Sequence, residues 1–197
     1  AGFSNTTGFD NLFSGFKAGY ANTTGNANVF LGSNSGTNNT TGQQNIFIGE
    51  SAGFNNVNSD ANLFIGGSAG LSTTGGFGRN IFLGFRAGMD NTTGAFNTFI
   101  GYSSGESNTT GKDNIYLGYR SGHSAASGDV NLFIGNRAGE NTVAPEWNLM
   151  IGHNAGNMAG NGDYNLFIGH EAGYESGDGN FNQFLGFRAG YHNYGDN

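Results

Sequence analysis

The sequence predicts an all-β fold, a parallel β-solenoid or β-roll with about 17 residues per coil. Three observations point there. An asparagine–apolar–aromatic–apolar–glycine phrase recurs along the whole chain, anchored at Asn11, Asn28, Asn45, Asn62, Asn80, Asn97, Asn114, Asn131, Asn148, Asn165 and Asn182. Successive anchors lie 17 residues apart, with one step of 18 between Asn62 and Asn80. Glycine interrupts each unit too often for a helix to survive.

Each part of the unit has a reading. In Asn45 to Ala61, Asn45-Ile46-Phe47-Ile48-Gly49 is a short β-prone run closed by glycine. Glu50-Ser51-Ala52-Gly53 is a second short segment, with a small residue before a second glycine. Phe54 to Ala61 is polar and turn-like, and other units carry Asn-Thr-Thr-Gly there, as at Asn22 to Gly25. Stacked coils sit about 4.8 Å apart, so anchor asparagines in register can bond up and down the stack as a ladder. The glycines after the strand, such as Gly32, Gly49 and Gly66, are expected in left-handed or crowded backbone. The small column that runs through Ala18, Ser35 and Ala52 marks a tight inward turn. Eleven coils make a rod about 50 Å long, one repeat domain over residues 1–197.

The apolar run carries the most information. In a strand, Leu132 and Ile134 point to one side and Phe133 to the other. Both sides are apolar in nearly every unit, which signals burial on both. The coil interior covers only one. Either the branched aliphatics fill the coil and the aromatics meet another chain, or the reverse. The aromatic column is Phe13, Phe30, Phe47, Phe64, Phe82, Phe99, Tyr116, Phe133, Met150, Phe167 and Phe184. It is expected to form a second core between chains, because a lone solenoid would expose a long apolar stripe.

Composition excludes several classes. The chain has 38 Gly, 1 Pro and no Cys among 197 residues, so neither collagen nor a disulfide framework fits. Net charge is −7 with only 7 Lys and Arg, which argues against a nucleic-acid partner. No apolar run approaches the ~20 residues of a membrane helix. The first residues read as the back half of a repeat, so a piece of a longer fibre is expected.

The pattern Asn-x-Phe-Ile-Gly-x-x-Ala-Gly-x-Asn-x-Thr-Gly resembles the head repeats of trimeric autotransporter adhesins. It is similar too to repeat arrays in phage tail fibres and in bacterial surface proteins that end in a self-cleaving chaperone domain. The resemblance covers essentially the whole chain. It implies a left-handed β-roll, a homotrimer, and an extracellular, cell-surface or virion location. This chain is longer per coil and richer in Phe than the shortest adhesin-head repeat.

The search for chemistry is largely negative, and no enzyme is expected. His153 and His170 are equivalent positions on adjacent coils with Glu171 alongside, and read as surface loop residues. Asp129, Glu146 and Asp163 stack two residues before their anchors, where calcium could bridge them; a solvated charged edge is the simpler reading, and no cofactor is expected. A basic column runs through Lys17, Arg86, Arg120, Arg137 and Arg188. Aromatics beside it, Phe85, Tyr102, Tyr119, Phe187, Tyr20 and Tyr174, could stack against glycans or simply cover coil edges. Asn5, Asn22, Asn39, Asn91 and Asn108 match glycosylation sequons, which turn chemistry also explains. The expected function is a rigid rod presenting a host-, glycan- or matrix-binding surface. The alternative is a filament subunit that stacks end to end, with ice binding a distant third.

Overall fold

The computed structural model describes residues 1–193. It is a β-solenoid of stacked coils with eleven three-residue strands, from β1 (Leu12–Ser14) through β6 (Thr98–Ile100) to β11 (Gln183–Leu185), and no helix among the described residues. The strands form one parallel sheet in strict chain order. Each coil pairs in register with the next, Phe30 opposite Phe47 and Phe47 opposite Phe64. The 18-residue coil keeps this register, with Phe64 opposite Phe82, so its extra residue lies in the turn region.

Period-2 alternation sends the middle residue of each strand into the coil. Phe30, Phe47, Phe64, Phe82, Phe99, Tyr116, Phe133, Met150 and Phe167 are fully buried. Neighbouring rings stack nearly parallel at 4.8 to 5.1 Å. This corrects the expectation that the aromatic column forms a second core between chains. A coil admits one inward strand residue, and a ring fills it. Opposite the ring sits the small column, buried at Ala52, Ala69 and Ala87. The following glycine completes the fit: Gly53 has φ +57°, and a Cβ there would lie 2.5 Å from the Phe47 ring. The glycine ending each strand answers a different crowding. A Cβ on Gly49 would lie 2.6 Å from the Gly66 carbonyl of the next coil.

The anchor asparagines form a ladder, in a form richer than amide on amide. The Asn28 side-chain carbonyl accepts from the Asn45 backbone N–H at 3.0 Å, and the Asn28 amide donates to the Gly42 carbonyl at 2.8 Å. Amide-to-amide bonds add to this at some steps, as from Asn62 to Asn45 at 3.0 Å. A second buried ladder lies eleven residues after the anchors. There the Asn39 amide donates to Asn22 and the Asn56 amide to Asn39, both at 2.7 Å. Asn22, Asn39, Asn91 and Asn108 are therefore structural and fully buried, which closes four of the five sequons to a glycan in the folded chain.

Candidate functional site: the outer face of the sheet

With the aromatics inside, the other two residues of each strand face outwards. They form two aliphatic columns, Val29, Ile46, Leu63 and Ile81 on one and Leu31, Ile48, Ile65 and Leu83 on the other, continuing along the rod. Ile46, Ile65, Ile81, Ile100 and Ile115 each keep 38 to 41% of their surface exposed. Polar residues interrupt the columns at Ser14, Thr98 and Gln183. Eleven strands at about 4.8 Å, each about 13 Å from anchor to glycine, give a flat footprint on the order of 600 Å². A footprint of that size stands at the upper end of the largest apolar patches that soluble monomers leave exposed.

Two columns border this face. One is the residue before each anchor, including Phe96, Val130, Trp147, Tyr164 and Phe181, all exposed. This position has φ between +54° and +61° in all eleven coils, always on a residue other than glycine. The other border is the residue after the strand glycine. Here Phe85, Tyr102 and Tyr119 stack on one another at 5.5 Å, and His153, His170 and Phe187 form a second stack at 5.0 and 5.4 Å. Tyr20 stacks on Phe3 and Tyr174 on Tyr191, both at 5.1 Å. The rings thus lie face to face along the rod and turn their edges outwards. Arg86 and Arg137 lie over the outer rings of the first stack, at 5.4 Å from Phe85 and 6.0 Å from Tyr119. A sugar ring stacks on a ring face, and the faces between stacked rings are already taken.

Beside the first stack the basic column meets acids of neighbouring coils. Glu106 lies 3.7 Å from Arg86 and 3.6 Å from His123, and Glu140 lies 2.9 Å from Arg120 and 3.6 Å from Arg137. Ser103 stands where coils on either side carry Arg86 and Arg120, and the missing bulk leaves a cleft of about 220 Å³. Burial, reinforced by Arg120, pushes the His123 imidazole below its ordinary pKa. Burial and the nearby Glu106 push the Asp90 carboxyl up. Sequence reasoning found the arginines and missed Glu106 and Glu140. Their offset from the arginines, three residues on and on the same or next coil, was the available signal.

The remaining candidates are accounted for locally. Asp129 accepts from the Lys112 backbone N–H at 2.7 Å and Asp163 from that of Glu146 at 2.9 Å, so these carboxylates serve as turn acceptors. His153 stacks on His170, while Glu171 accepts from Arg188 at 2.6 Å, a bond that lowers the Glu171 carboxyl pKa. Among the described residues no group of three or more His, Cys, Asp or Glu is placed to hold a metal ion, and no helix is long and apolar enough to cross a membrane. No protein-family profile, curated protein or solved structure matches the chain.

Proposed function

We propose that this chain is a segment of a stiff extracellular fibre, assembled from three parallel copies that bury the outer sheet face on a common axis, and that its work is mechanical and adhesive. The single observation that carries the reading is the aliphatic face, which runs the length of the rod and leaves Ile46, Ile65, Ile81, Ile100 and Ile115 more than a third exposed. Size supports three copies. Sheets pack about 10 Å apart, so each would stand about 5 Å from the axis, and a triangle of that inradius has sides of about 17 Å. The two border columns stand six residue steps apart along the strand, at most about 20 Å. Such an assembly hides the aliphatics and leaves the Asn/Thr turns and the Arg/Glu flank as the surface for a host, glycan or matrix partner.

Sedimentation velocity tests it. The expected species is discrete, near 62 kDa, three times the chain's 20.5 kDa. Ile115→Glu, on the outer face, should yield folded single chains. A parent protein that sediments as a stable monomer sinks the proposal, and open-ended growth with concentration replaces it with a filament.

A further inference from the structure

The two columns bordering the sheet face match in character in six of the eleven coils. Where the residue before the anchor is aromatic, so is the residue after the strand glycine: Phe96 with Tyr102, Trp147 with His153, Tyr164 with His170, Phe181 with Phe187. Where the first is small, so is the second: Ala27 with Ser33, Ala61 with Gly67. The strand lies between the two members of each pair. Every stack on these borders among the described residues runs along one column, and none bridges the two. No ring contact within one chain among the described residues accounts for the matching.

The first column carries a second anomaly. Its left-handed backbone suits glycine and asparagine and disfavours bulky and β-branched residues. Val130 and Trp147 nonetheless hold it, at φ 59° and 58°, and Trp147 remains 53% exposed. Strain without burial asks for a contact elsewhere.

We infer that these columns meet between copies, as a seam that fixes parallel, in-register association. The inference rests on self-association through the sheet face and specifies its geometry. When parallel copies close around an axis, their strands run circumferentially. The residue after one strand then arrives beside the residue before the neighbour's strand, at the same height. Each aromatic pair becomes one intermolecular ring contact, and each small pair a close backbone approach. In coil 5 the seam would set Arg79 against Phe85, and in coils 1 and 7 an aspartate against an aromatic. Slipping by one coil next to Ala61 would set a small residue against Phe85, so the pattern selects register. An antiparallel pair of rods would instead bring Ala27 to Tyr164 and Phe96 to its own copy.

The chain has no cysteine, so disulfide mapping is clean. Ala27 and Ser33 are both exposed. The double variant A27C/S33C, oxidised at low concentration, should give a covalent band of the full oligomer on denaturing gels, while A27C and S33C alone should not. F96C alone should stay uncrosslinked. A band from F96C alone, or from A27C/Y164C in place of A27C/S33C, overturns the inference in favour of antiparallel pairing. If no pair crosslinks while sedimentation still shows the oligomer, the seam is wrong and self-association survives. A monomer in sedimentation removes the reading beneath it.

Discussion

Replacing Thr73 with Asn should stabilise the protein, because Thr73 breaks the second asparagine ladder. Asn5, Asn22, Asn39 and Asn56 occupy this column in successive coils, and the amides of Asn22, Asn39 and Asn56 each donate to the side-chain carbonyl of the one before at 2.7 to 2.8 Å. Thr73 comes next and offers no amide. The Asn56 Oδ1 atom is buried without a hydrogen bond, and the Asn91 amide reaches the Thr73 hydroxyl only at 3.5 Å. An unsatisfied buried acceptor costs about 1–3 kcal/mol, and a formed bond returns about 1 kcal/mol net. T73N supplies a donor below and an acceptor above. Against this stands the entropy of fixing one more side chain, under about 1 kcal/mol. The expected gain is about 1–2 kcal/mol. Urea unfolding followed through Trp147, the chain's single tryptophan, reads it as a higher midpoint at unchanged slope. Protein concentration must be matched, since association contributes to stability. A125N is the control. It gives the other orphan, Asn108 Oδ1, a donor, but places its own carbonyl beside Thr142, whose hydroxyl already donates to Gly139. Its gain should be smaller. A neutral or destabilising T73N, or an A125N that gains as much, refutes the reasoning.

Other perturbations probe the core and the charged flank. Tyr116→Phe should raise the urea midpoint by the equivalent of about 1 kcal/mol: the hydroxyl is buried without a hydrogen bond, and the neighbouring Asn131 amide already donates to Asn114, Asp129 and Pro145. Burial also pushes the Tyr116 phenol far above its ordinary pKa. Phe99→Asp should cost more than about 4 kcal/mol by removing a ring stacked on both sides and burying a carboxylate; unchanged thermal stability would mean that the column does not fill the coil. Gly53→Ala should cost about 2 kcal/mol or more through left-handed backbone and the clash with Phe47, read as a lower melting temperature. Asp90 binds its proton more readily folded than unfolded, so its ionised form destabilises the fold above the raised pKa, and the penalty fades as pH falls through it. Asp90→Asn should therefore be the more stable protein at pH 7, with the difference gone below the unfolded value of 3.8, and a difference that persists there refutes the assignment.

Much of this was legible in the sequence, and the exceptions have physical reasons. The 17-residue recurrence gives the coil, and glycine spacing excludes helix. Alternation separates Phe47 from Ile46 and Ile48 but cannot say which side is inside, because both sides are apolar. Volume decides that, and the signal lay in the small residue and glycine opposite. Ala52 and Gly53 leave room for one ring and no more, a space that a pair of branched aliphatics would overfill. Asn39 reads as turn chemistry because Asn-Thr-Thr-Gly is a turn sequence. Its 17-residue recurrence matches that of the anchors, and a buried ladder follows from the same logic. The order of charges was visible too. Which acid meets which arginine depended on the pitch of the corner, which only the structure supplies.

Directionality ties these features to function. Along the rod almost every group is satisfied by its own copy in the next coil: strand to strand, asparagine to asparagine, ring face to ring face. On the proposed reading, that saturation would stiffen the rod, since bending must open one side of several ladders together. It also leaves little along the axis for a partner to recognise, because ring faces and amides are already occupied. What remains lies sideways, in two aliphatic columns and the bulky residues at their borders. A one-dimensional stack that saturates itself lengthwise can acquire new contacts only laterally. Thr73 departs from repeat logic inside the coil, whereas Trp147 and Val130, in strained backbone, depart from it on the exposed lateral surface. On the proposed reading, those lateral departures, more than the repeat itself, would decide what the rod pairs with.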